Sequence, residues 1–199
     1  MKLAFICGSG YGRSDSLIIT RKLRLLADDN ESEVFVFIRG SEGNDKYREI
    51  AKNGAHKVFV CDTGLNSFIE MCRLWIIRND IHMMAFQDTE EGRKMASVLA
   101  MMLDGGLTAD CINIEYDKKD GFQFFRAALS DSIVAKIKCI NTDYQLCTIK
   151  QNSFQIKKEL SYETGNIEYL KPEKEVKEAL AQVISSKKIE KKNVSLVNA

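Results

Sequence analysis

Apolar residues fall along this chain in two kinds of run. Residues 3–7 (LAFIC), 33–38 (EVFVFI), 57–61 (KVFVC) and 82–86 (HMMAF) are short and mostly continuous in apolar character. Runs of that length predict strands buried on both faces, as parallel strands covered by helices are. Longer segments with helical spacing separate them. Ile19, Leu23 and Leu26 mark a helix starting near Ser16; Tyr47, Ile50 and Ala51 mark a second, ended at Gly54; Cys72, Trp75 and Ile76 mark a third. Met95, Val98, Leu99, Met102 and Leu103 form one apolar stripe of a fourth. Ser67 with Glu70, and Asp88 with Glu91, have the spacing of a capping box and place the starts of the third and fourth helices. Gly105-Gly106 ends the fourth, since glycine takes the left-handed conformation of a C-cap. The alternation predicts an α/β fold: a three-layer Rossmann-like sandwich whose mainly parallel sheet carries helices on both faces.

Beyond residue 117 helical periodicity disappears until residue 169. Short alternating segments around 111–116, 133–139 and 146–149 predict further strands, some antiparallel, at one end of the sheet. The domain is expected to span residues 1–170. In residues 171–199, Pro172 suits the first turn of a helix, and Val176, Ala179, Leu180, Val183 and Ile184 make one stripe. The charged SSKKIEKKN run behind it predicts a solvated linker.

Composition removes several function classes. A chain of 199 residues with 45% hydrophobic and 29% charged residues has the make-up of one ordinary globular domain. Its net charge of +1 supplies no field for nucleic acid. No apolar run approaches the ~18–20 residues of a membrane span, and the start of the chain is too short for a signal peptide, so a cytoplasmic location is expected. The cysteines, Cys7, Cys61, Cys72, Cys111, Cys139 and Cys147, form no close pair; five fall in predicted strands and one on a predicted helix. They are expected to be buried thiols. With only His56 and His82 beside them, no metal site is expected, and no nucleophile–base spacing marks an enzyme.

Candidate binding residues are few. Gly8, Gly10, Gly12 and Arg13 lie between the first strand and the first helix, where backbone N–H groups can cradle a phosphate. The spacing is not that of a complete phosphate-binding motif, so a plain strand-to-helix connection is favoured over a nucleotide contact. Thr108 and Asp110 are read as turn formers. Asp88, Glu90 and Glu91 are read as acids favoured by a helix N-terminus. Arg126 can face an anionic group, such as a pyrophosphate or a carboxylate, or form a structural ion pair. Phe122, Phe124 and Phe125 without a basic stripe are assigned to core or interface.

Three segments in order resemble the N-terminal domain of the electron-transfer flavoprotein alpha subunit family. Gly92-Arg93 opens a helix ahead of Gly106-Leu107-Thr108-Ala109-Asp110-Cys111, where the family reads G-R-x-L-A-x-x-L-A and then T-G-L-T-A-D-C. Residues 126–137, RAALSDSIVAKI, keep the frame of R-P-A-x-G-G-N-x-x-A-x-I but replace the proline and both glycines. Residues 144–152, YQLCTIKQN, stand where the family has P-Q-M-A-T-V-R-P-G. The resemblance implies an electron-carrier component without bond-making chemistry of its own. It implies a beta-type subunit as partner, flavoprotein dehydrogenases as electron donors through the complex, and a FAD held chiefly by a C-terminal domain of alpha against beta. The chain ends at Ala199 ahead of that domain and is expected to bind no FAD alone. The partner surface is expected around Phe122, Phe124, Phe125 and Tyr144. The alternatives are a stand-alone adenine-nucleotide module, binding AMP at the Gly8–Arg13 loop, and a degenerate paralogue.

Overall fold

Strand and helix alternate through the first hundred residues of the computed structural model in the predicted order. The structure describes residues 1–9, 13–41, 43–129, 132–154, 162, 165–176 and 185, with Arg13 described by its backbone alone. The elements are β1 (Lys2–Cys7), α1 (Arg13–Asp28), β2 (Glu33–Arg39), α2 (Asn44–Lys52), β3 (Lys57–Cys61), α3 (Leu65–Asn79), β4 (Met83–Gln87) and α4 (Glu90–Leu103). Five strands follow: β5 (Gly106–Asp117), β6 (Gly121–Ala128), β7 (Ile133–Ile137), β8 (Gln145–Ile149) and β9 (Asn166–Tyr169). They form one sheet in the order β7-β6-β5-β8-β4-β1-β2-β3-β9.

The sheet is parallel from β5 to β9, and β6 and β7 add an antiparallel ribbon at one end. Period-two alternation divides each inner strand between two cores. Leu3, Phe5, Val34, Val36 and Val58 face α1 and α2; Ala4, Ile6, Phe35, Phe37 and Phe59 face α3 and α4. Both sides of β1 are therefore dry, which is why the sequence shows a continuous apolar run there.

The structure corrects several local expectations. Helix α1 begins at Arg13, ahead of Ser16, and α3 begins at Leu65 behind Gly64, without a side-chain cap. Ser67 instead lies in the first turn of α3, where its Oγ accepts the Val176 N–H at 2.8 Å. Thr89, and not Asp88, caps α4, its hydroxyl accepting the Gly92 N–H at 3.0 Å. The left-handed residue ending α4 is Asp104 (φ 51°), and not Gly105 or Gly106. Aspartate tolerates that conformation because its short side chain bonds locally. The two glycines serve close packing. A Cβ on Gly105 would stand 2.6 Å from Leu146 Cδ1, and one on Gly106 2.6 Å from Cys139 Sγ.

Thr108 and Asp110 lie within β5 and not at a turn before it. The register slips between Thr108 and Cys111, Asp110 takes φ 56°, and its N–H, lost to the ladder, goes to Thr148 Oγ1 at 3.0 Å. This is a β-bulge, and it bends β5 so that its second half can pair with β6. The extra strands do not all gather at one end. β8 pairs β4 and β5 in mid-sheet, and β9 pairs β3 at the opposite edge. Cys139 lies just past β7. Pro172 begins no helix among residues 172–176; the remainder of that predicted helix and the linker fall outside the described residues, apart from Ser185. Leu170 N–H bonds Val60 O of β3 at 2.8 Å, and the chain beyond it reaches α3 through an Arg78–Glu173 ion pair and the Val176–Ser67 bond.

Candidate functional site

Strand order in an open parallel sheet decides where a crevice forms. From β1 the chain moves through α1 to β2 on one side, while β4 flanks β1 on the other. The two connections leave in opposite directions, so a gap opens outside the C-terminal ends of β1 and β4. Gly8 and Ser9 follow β1, Arg39 ends β2, Gln87 ends β4, and Glu91 stands in the first turn of α4.

These groups close on one carboxylate. Glu91 Oε2 accepts from Ser9 Oγ at 2.8 Å, and Glu91 Oε1 accepts from the Ser9 backbone N–H at 3.3 Å. Arg39 Nε donates to the same Oε1 at 2.5 Å. The guanidinium is itself held by Thr63 O at 3.1 Å and Ser9 Oγ at 2.6 Å. Gly8 makes this possible, since a Cβ there would stand 2.6 Å from Glu91 Cδ. Beside the cluster, Gln87 is buried, with its Nε2 donating to Asp15 Oδ2 at 3.4 Å and its Oε1 unpartnered. Asp88 pairs with Arg93 at 2.8 Å.

Burial alone pushes the Glu91 carboxyl up. The hydrogen bonds from Arg39 and Ser9 and the Arg39 charge together outweigh it and hold the group below its ordinary value of 4.5. A carboxyl lowered by folding stabilises the native state above its unfolded pKa and loses that contribution as pH falls through the folded value. The wild-type chain should therefore lose stability in denaturant melts below about pH 4.5, and Glu91→Gln should flatten that part of the profile. An unchanged acid limb in the variant removes Glu91 from the account.

The other candidates are dispersed. Gly8 lies in the cluster; Gly10 and Gly12 fall outside the described residues, as does the side chain of Arg13, whose backbone opens α1. Arg126 stands half-buried on β6, on the rung of Cys111 and Ala135. Four strand steps separate β6 from β1, roughly 19 Å, so Arg126 and the Gly8 loop form no common site. Phe122 and Phe124 are 3% and 0% exposed, inside the core beside α1. Phe125 points to the other face, half-buried, with Lys136 Nζ 5.7 Å from its ring centroid. Tyr144 stacks on His82 with centroids 5.8 Å apart. Ser130 and Asp131, which replace the family's two glycines, are outside the described residues.

Sequence reasoning missed Ser9 and Arg39 and read Glu91 as a helix-terminus acid. The available signal was an arginine on the last residue of a buried strand, a position that needs a counter-charge. All six cysteines are free; Cys7, Cys72 and Cys147 are fully buried, and burial pushes their thiols well above the ordinary value. They are poor nucleophiles for that reason. No group of three or more His, Cys, Asp or Glu side chains among the described residues can hold a metal. No described helix is long and apolar enough to cross a membrane.

The cluster also bears on a dinucleotide cofactor. A flavin pyrophosphate needs free N–H donors and a free cation, and here Ser9 and Arg39 already serve Glu91. The described residues of the crevice do not fit that group.

The electron transfer flavoprotein domain matches residues 76–175, which run from the end of α3 across α4 and β4–β9. Among curated relatives, the LctC subunit of lactate dehydrogenase (NAD(+),ferredoxin) from Acetobacterium woodii is 27% identical over 159 residues, covering 77% of this chain and 38% of that protein. The electron transfer flavoprotein subunit alpha of Megasphaera elsdenii is 29% identical over 154 residues, covering 73% of this chain and 45% of that protein. The chain thus spans less than half the length of these two relatives. The matched segment includes the Thr89-capped helix, the Gly105-Gly106 contact and the bulged β5 that organise this half of the sheet, and the chain belongs to the electron transfer flavoprotein domain family.

Proposed function

We propose that this chain is an alpha-type electron-transfer-flavoprotein component, a scaffold and interface domain. It supports electron flow from flavoprotein dehydrogenases through a FAD held by its partners. The observation that carries this reading is the family match over β4–β9, lying beside a crevice already filled by Ser9, Arg39 and Glu91. When bound in the complex, the flavin supplies the redox chemistry. This chain's own residues position the partner and keep the switch point closed.

The β6–β7 ribbon is the proposed docking surface for a beta-type subunit. It ends in exposed Leu129, Ile133 and Val134, at 73%, 51% and 56% exposure. Arg126 and Phe125 flank this apolar tip, and aromatic and arginine residues concentrate interface energy. Phe122 and Phe124 support the ribbon from inside, and Tyr144 lies towards the α4 side.

Co-purification with a genomically adjacent beta-type subunit tests the reading. Association near micromolar, about −8 kcal/mol, is expected. The double change Phe125→Ala/Arg126→Ala should weaken it at least about tenfold, the equivalent of ~1.4 kcal/mol. No association at high micromolar concentration overturns the proposal and leaves the degenerate paralogue as the account. The adenine-nucleotide alternative predicts heat on titration with AMP; the negative Glu91 on the Ser9 N–H opposes it.

A further inference from the structure

The switch-point crevice has the parts of an anion receptor, and we propose that it is a phosphate-type oxyanion site kept closed by the chain's own Glu91 carboxylate. A backbone N–H, a hydroxyl and a guanidinium converge on Glu91, which is the donor set that binds a tetrahedral oxyanion. Their place, outside the C-terminal ends of parallel strands, is where such a fold binds phosphates. The space is provided by the missing side chain of Gly8, which the Glu91 carboxylate fills.

The receptor does not depend on its occupant. Arg39 is oriented by Thr63 O and Ser9 Oγ, and the loop behind it is tied by Gly40 N–H to Cys61 O at 3.0 Å. Removing Glu91 therefore leaves the donors aimed at a shared centre.

Closure is a matter of effective concentration. Glu91 is delivered by the first turn of α4, and a tethered group competes at millimolar effective concentration or above. Free phosphate at ordinary levels cannot displace it. The ligand class is inorganic phosphate or a phosphate monoester, recognised by the same three donors. This inference is independent of the docking surface, which lies four and five strand steps from β1, on β6 and β7.

The test compares wild type with Glu91→Ala in phosphate and in chloride at matched ionic strength, by thermal unfolding and calorimetry. The variant should show a saturable, phosphate-specific rise in melting midpoint, with phosphate bound at least about tenfold more tightly than by wild type, corresponding to ~1.4 kcal/mol. Adding Arg39→Ala should abolish the gain. If Glu91→Ala does not fold, Glu91→Ser keeps a polar side chain too short to fill the space beside Gly8 and should give the same response. AMP in place of phosphate separates the sources: equal affinity assigns the site to the bare oxyanion, and tighter binding to a monoester. A folded variant with no saturable phosphate response overturns the proposal, as does a response that survives Arg39→Ala.

Discussion

Gly92→Ala should destabilise the chain by about 3 kcal/mol or more, although helix propensity alone argues for a gain. Alanine is favoured over glycine within a helix by about 1 kcal/mol. Gly92, however, lies in the first turn of α4, buried against the end of β4. A Cβ there would fall far inside 3.0 Å of the Gln87 carbonyl oxygen, a backbone atom that cannot turn aside. Overpacking of this kind typically costs ~1–3 kcal/mol and more where backbone must shift. The net sign tells which effect wins. Denaturant unfolding gives the answer, with the midpoint lowered and the slope unchanged. Thr89→Ala, which removes the cap bond to the Gly92 N–H, serves as a reference and should cost about 1 kcal/mol. A stabilised Gly92→Ala would show that α4 does not approach β4 as described, and would also undermine the placing of Glu91 over Ser9.

The first four strands and helices were legible because their signals are local. A strand covered on both faces must be apolar at consecutive positions, and β1 to β4 are. The position of β8 was not legible in the same way. Its pairing with β4 and β5 rests on hydrogen bonds between residues about sixty apart along the chain for β4 and forty for β5, which no local period reports. A clue was present: Leu146, Cys147, Thr148 and Ile149 are all buried in succession, the mark of a central strand. Reading them as alternating placed the strand at the edge. The crevice shows the same limit. Glu91 looks like an ordinary first-turn acid, and its partner Arg39 lies 52 residues away. Only the reversal of strand order at β1 brings them together. The glycines of the loop left a plain connection favoured over a phosphate contact, whereas the described one, Gly8, admits a carboxylate from within the chain.

The β6 aromatics show how period two resolves what composition leaves merged, and they give the last expected result. Phe124→Ala should cost about 3–5 kcal/mol, the range for a buried ring removed from a packed core. Phe124 is fully buried, sharing a core with Cys111, Ile114, Phe122, Cys147 and Phe154. Its loss leaves a void under α1 at the point where the antiparallel ribbon joins the parallel sheet. Phe125 is the next residue and points to the other face, half-buried beside Lys136. Phe125→Ala gives up only partial burial and an exposed cation–π contact of about 0.5–1 kcal/mol. The two variants therefore separate fold from interface. Phe124→Ala should lower the unfolding midpoint steeply at constant slope, and Phe125→Ala should melt close to wild type while losing affinity for a beta-type partner. Because side chains alternate strictly, a slip of one residue along β6 would exchange the two faces. A larger stability loss at Phe125 than at Phe124 would mean that the ribbon is registered differently on β5, with the Arg126 side of β6 turned away from the core beneath α1.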